Sequence, residues 1–273
     1  MPLVNRIANT FTNRITEIIF FLHIPKCGGV SIGQAIEEKY LSIDLRNDRG
    51  IIELNAPVSG QVIKTTEGIN YPYGTNDDFP LLNFREKLLL YFMGQPSTKF
   101  ISGHFLFSDQ AYQEYGDKFM IVTVLRDPIQ RWLSSYFFNR FKRDDHVQVY
   151  DDIEPYLDTH FGISQGYELI KFLGGANWEG DYISSIAINR AIENLKKFGI
   201  VGFLEDLDSF SRKFYDRFQV NLKIGKKNQN PAPKYNRKST ITTDLLEKIT
   251  EICQPDIQVY EYALKNFNHI DYL

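Results

Sequence analysis

The sequence predicts a three-layer α/β domain with a central parallel sheet. Short apolar runs with the composition of buried strands alternate with segments of helical periodicity, and two of those runs end in turns that feed directly into helices. Strands are expected near 18–23, 99–102, 119–125 and 200–204, with helices on both faces of the sheet. No Ser/Gly-rich or Pro-rich linker divides the 273 residues, so a single domain over 1–273 is expected.

The first strand-turn-helix unit is IFFLHIPKCGGVSIGQAI, residues 19–36. A strand ending in a glycine-rich turn that opens a helix aims backbone N–H groups and the positive helix end at one point, where an anion is favoured. The turn is not a Walker A loop, because Lys26 precedes Gly28 and Gly29 and only Ser31 follows. The glycines permit positive backbone dihedrals and close approach of an oxyanion, and Lys26 supplies a point charge above it. The structural alternative is a solvated lysine beside an ordinary Gly-Gly turn.

The second unit is FMIVTVLRDPIQRWLSSYFFNRFKR, residues 119–143. After the apolar strand, Ile129, Trp132, Leu133, Tyr136 and Phe137 recur at the spacing of one helix face. Asp127 is placed to cap that helix and Pro128 suits its first turn. Arg126 then falls at the carboxyl end of a strand, where open parallel sheets bind ligands, and Ser134 follows two turns into the helix. An Arg126–Asp127 pair that only stabilises the turn is the alternative.

Together, HIPKCGG-x-S and LRDP-x-x-R-x-x-S, about a hundred residues apart, resemble the two cofactor motifs of the sulfotransferases. The nearest likeness is to sulfotransferase family 2, the carbohydrate branch of heparan sulfate 2-O-sulfotransferase type. The resemblance implies a P-loop NTPase-like sulfotransferase fold and a co-substrate, 3′-phosphoadenosine 5′-phosphosulfate, with no metal. It places Lys26, Cys27, Gly28, Gly29, Val30 and Ser31 on the 5′-phosphosulfate, and Arg126 and Ser134 on the 3′-phosphate. ISGHFLF resembles the family's Gly-His element, which makes His104 the expected catalytic base and Lys26 its catalytic partner. VGFLEDLDSF and DIQVYEYAL resemble the closing strand and helices, so the likeness spans roughly residues 17–267. Cys27 and Val30 depart from the family's usual threonines and remove two hydroxyls from the 5′ side. The implied reaction is sulfuryl transfer to an acceptor hydroxyl, on a saccharide in this branch.

Other residues bound the reading. A net charge of −3 argues against a nucleic-acid binder, although the cluster KIGKKNQNPAPKYNRK at 223–238 is a candidate polyanion contact or a solvated loop. Two cysteines are too few for a disulfide framework, no apolar run reaches membrane-spanning length, and residues 1–16 lack a signal-peptide core, so a cytoplasmic enzyme is expected. The turn-rich stretch 41–80, within a 41–97 insertion, is expected outside the core, and residues 144–197 are expected to supply acceptor-side helices. A thiol beside Lys26 at a helix start also suggests a reactive Cys27, against which stands a small residue in the family's Thr position. His23 is expected to be structural, and His146, His160 and His269 show no partner pattern. A nucleotide kinase or other phosphotransferase, and a noncatalytic nucleotide- or glycan-binding protein, are the competing classes; the first should carry Walker A, and the second need not keep both Lys26 and His104.

Overall fold

The computed structural model describes residues 14–40, 50–68, 79–142, 148–175, 181–225 and 241–268. Strands β1 (Ile18–Leu22), β2 (Ile51–Glu53), β3 (Phe100–Gly103), β4 (Phe119–Leu125) and β5 (Ile200–Phe203) form one sheet in the order β2-β3-β1-β4-β5. Every neighbouring pair is parallel; Leu22, for instance, lies between Gly103 and Thr123. The four strands expected from the apolar runs are present within a residue at each end.

Both faces of the sheet are covered, which is why its strands are apolar throughout rather than alternating. Phe20 and Leu22 of β1 pack with Ile101, Ile121 and Val201 into one core, closed by α3 (Phe79–Met93), α4 (Asp109–Tyr115), α8 (Glu168–Gly174), α9 (Ser185–Leu195) and α12 (Gln254–Phe267). Ile19 and Phe21 point to the other face, against Ile32 and Ile36 of α1 (Gly29–Glu37) and Phe210 and Phe214 of α10 (Leu207–Phe218). A satellite core joins Trp132 and Tyr136 of α5 (Pro128–Phe141) to Tyr156 of α6 (Ile153–Leu157) and Ile249 of α11 (Thr243–Ile252).

The stretch 41–80 departs from expectation where it is described. Ile51 and Ile52 pair with Phe100 and Ile101 as the edge strand, and α2 (Ala56–Glu67) follows at once. Three strand residues are too few to show a period, so no pattern reveals them. The helix start was nonetheless written locally: the Asn55 side chain accepts from the Val58 N–H at 3.1 Å, Pro57 occupies the first turn, and Gly68 closes the helix at φ 70°. Residues 41–49 and 69–78 lie outside the described residues, as do most of the 223–238 cluster, His146 and His269. The helical reading of 144–197 holds in its described part, which contains α6, α7 (His160–Ser164), α8 and α9. Among the described residues no helix is long and apolar enough to cross a membrane.

Candidate active site

The chain leaves β1 toward β2 on one side of the sheet and leaves β4 toward β5 on the other, so a crevice opens between the carboxyl ends of β1 and β4. Both sequence motifs arrive there. Lys26 adopts φ 67°, a left-handed conformation that costs a side-chain-bearing residue about 1–2 kcal/mol. Arg126 anchors it: its Nη1 donates to the Lys26 carbonyl at 3.2 Å, joining two segments a hundred residues apart. Arg126 Nε is buried with no partner among the described residues, as is Arg131 Nε.

The helix behind the turn begins without any anionic or side-chain cap. Gly28 stands at the N-cap with φ 78° and so brings no side-chain cap, and no acidic residue occupies the first turn. The positive end of α1 is therefore uncompensated locally. Both glycines are sterically required: a Cβ on Gly28 would lie 2.6 Å from Leu204 Cδ1, and one on Gly29 would overlap the His23 imidazole. That imidazole is stacked on Phe21 and packed at a tilt against His104, so it has little room to yield. Gly29→Ala should lower stability by about 1–3 kcal/mol, read as a fall in the denaturant midpoint, and displace His104 along with His23.

Lys26 and His104 line one cavity of about 330 Å³. The Lys26 ammonium sits 3.6 Å over the Phe138 ring, a contact that orients the cation without neutralising its charge. Its pKa is lowered to about 8, first by burial and then by Arg126, Arg131 and Lys142. A cation held against three others favours an anionic ligand, whose arrival would restore the pKa.

His104 is fixed by its neighbours. Its Nδ1 lies 2.8 Å from the His23 carbonyl, and because a carbonyl only accepts, Nδ1 carries the hydrogen and Nε2 the lone pair. Burial pushes its pKa down to about 4; the bond to His23 opposes this, and the charges of Arg85 and Lys26 add to it. His23 is also held well below its ordinary value, by burial, His104 and Lys26. Both imidazoles resist protonation in the fold but are charged in the unfolded chain below about pH 6.5, so stability falls as pH drops below that value.

Arg85, unforeseen in the sequence, holds this corner together. It donates to Ser59 Oγ at 3.0 Å and to the carbonyls of His104 and Ala56 at 3.3 Å, tying α2 and α3 to the His104 loop. A further set unforeseen in the sequence lies on α5: Ser135, Phe138, Asn139 and, just past its end, Lys142 all face the cavity. Their spacing of i, i+3, i+4 and i+7 was a readable signal, overshadowed by the stronger apolar stripe beside it.

The remaining expected residues fall outside the cavity lining. Ser134 is half-buried on α5 one position from Ser135, and Arg126 is bonded to the Lys26 carbonyl. Gly28 and Gly29 shape that turn, Val30 is exposed, and Ser31 is half-buried on α1. Cys27 is buried, its thiol 3.8 Å from the Pro25 carbonyl and pushed up to about 12 by burial, which overturns the reading of a reactive thiolate. Glu205 is engaged at the α5 start, accepting from the Asp127 N–H at 3.2 Å and from the Tyr260 hydroxyl at 3.1 Å. His160 is exposed at the first position of α7. No protein-family model matches the chain, and no curated protein matches it.

Proposed function

We propose that the protein is a sulfotransferase that moves a sulfuryl group from 3′-phosphoadenosine 5′-phosphosulfate to an acceptor hydroxyl. The observation that carries this reading is that a partly buried ammonium beside an uncapped helix start shares one cavity with a neutral imidazole whose Nε2 holds a lone pair. The guanidinium of Arg126, which the resemblance assigns to the 3′-phosphate, lies against the same turn through its bond to the Lys26 carbonyl, and its Nε has no partner among the described residues. Two buried free thiols are in keeping with a reducing, cytoplasmic setting.

The chemistry needs positioning and charge more than covalent participation. His104 Nε2 takes the proton of the acceptor hydroxyl. The acceptor oxygen forms its bond to sulfur as the bond from sulfur to the phosphate oxygen breaks, and that oxygen leaves with the electron pair. Lys26 and the N–H groups of the Gly28–Gly29 turn stabilise the charge that develops there.

Calorimetry with adenosine 3′,5′-bisphosphate and with 5′-AMP tests the nucleotide side. The bisphosphate should bind about tenfold or more tightly, because a second charge-assisted contact set is worth roughly 1.5–3 kcal/mol. Arg126→Ala should erase most of that difference and weaken both ligands through Lys26. Equal affinities in the wild-type protein would remove Arg126 and Ser134 from the assignment.

A further inference from the structure

The cavity that holds His104 has an apolar wall. Leu81 and Leu82 from α3, Leu106 from the loop after β3 and Phe172 from α8 are buried side chains that show their remaining surface to it. Phe172 stands edge-on to His104 with ring centroids 6.2 Å apart, so an aromatic ring lies beside the imidazole. Several polar groups of the described lining are engaged within the protein. Asn139 Nδ2 donates to Ser135 Oγ at 3.5 Å, Gln165 Oε1 accepts from Arg131 at 3.3 Å, and Arg85 is bonded to Ser59, Ala56 and His104.

A sugar ring in this position would bring hydroxyls on several sides against leucine and phenylalanine, where each loses its water without a partner. A phenol brings one hydroxyl on a flat apolar ring. Its size also fits, since 330 Å³ lies in the range of small-molecule pockets. Lys142 and Lys171 add positive charge to the described lining, against which Glu168 is the one carboxylate.

We infer that the acceptor is a phenol carrying an acidic substituent, its ring between Leu106 and Phe172 and its acid group on the side of Lys142 and Lys171, in place of the saccharide implied by the sequence resemblance. The inference rests on the sulfuryl-transfer reading. In the balanced step the phenol loses its proton to His104 and gains the sulfuryl group, leaving an aryl sulfate ester and adenosine 3′,5′-bisphosphate.

The test uses the full chain, donor labelled in sulfur, and three acceptors: 4-hydroxyphenylacetate, 4-methylphenol and a uronate-containing oligosaccharide. Label should enter both phenols, with kcat/KM at least tenfold higher for the acid than for 4-methylphenol, and for either phenol above the oligosaccharide. Lys171→Glu should lower the ratio of acid to neutral phenol by about tenfold. Ala56→Phe, which fills the cavity from the first turn of α2, should depress transfer to both phenols. Calorimetry of 4-hydroxyphenylacetate on the protein saturated with adenosine 3′,5′-bisphosphate gives a readout independent of turnover, and binding should be lost in Ala56→Phe. Label on the oligosaccharide alone would overturn the phenol and leave sulfuryl transfer standing. Phenol transfer with no preference for the acid, or a ratio unmoved by Lys171→Glu, would overturn the acidic substituent. Bisphosphate binding with no label on either phenol and no phenol heat would also overturn it. Absence of bisphosphate binding would remove the parent reading itself.

Discussion

His104→Ala should cut turnover by 100-fold or more while leaving affinity for adenosine 3′,5′-bisphosphate nearly unchanged. A general base contributes roughly 10² to 10⁴ in rate, and the His104 side chain meets the acceptor rather than the nucleotide. The tautomer supports this role, since the His23 carbonyl fixes the hydrogen on Nδ1 and reserves Nε2 for the substrate. The pH profile provides a second readout. With its pKa near 4, His104 is neutral across the ordinary range, so kcat/KM should stay level on the acid side and fall only as pH drops through about 4. An acid limb near 6.5 would mean that the titrating base is another group. Because His104 is half-buried and packed on His23, the variant must be shown to unfold cooperatively before its rate is interpreted.

Lys26→Ala should behave differently, lowering both donor affinity and turnover. Its charge meets the phosphate in the ground state, a contact worth roughly 1.5–3 kcal/mol, and meets more negative charge as the leaving group forms, where loss of one such donor costs roughly 10²–10³ in rate. Lys26 must be protonated to act, so kcat/KM should fall as pH rises through about 8 in the free enzyme. Bound donor opposes the repulsion from Arg126, Arg131 and Lys142, and the same limb in kcat should therefore lie at higher pH. A basic limb at the same pH in both parameters would argue that Lys26 does not touch the donor. Lys26→Arg should restore little, because the site requires a compact ammonium over the Phe138 ring.

Much of the fold was legible because a parallel sheet buried on both faces needs continuous apolar strands, and β1, β3, β4 and β5 have them. β2 escaped notice because three edge residues carry no period, and α2 because it buries only Ser59 and Ile63, too few to make an apolar stripe. At the site, Lys26 and His104 were readable as motif residues, and their arrival in one cavity follows from β1 and β3 being sheet neighbours. Arg126 was legible as a residue but not in its contact: nothing in a linear motif says that a guanidinium will hold the carbonyl of Lys26. Arg85, Leu81 and Leu82 could not be found at all, since α3 lies in a stretch whose pattern gives no hint of which helix face meets the cavity. Ser134 and Ser135 illustrate a finer limit, because adjacent helix positions differ by about 100° in direction and only the second faces the cavity.

The most direct test of sulfuryl transfer follows the sulfur and the nucleotide together. Wild-type protein incubated with sulfur-labelled 3′-phosphoadenosine 5′-phosphosulfate and the acceptor panel should yield labelled ester and adenosine 3′,5′-bisphosphate in equal amounts, with both lost in Lys26→Ala and His104→Ala. If no acceptor takes label while the same protein transfers the γ-phosphoryl group of ATP, the cavity serves a phosphotransferase and the sulfuryl account is contradicted.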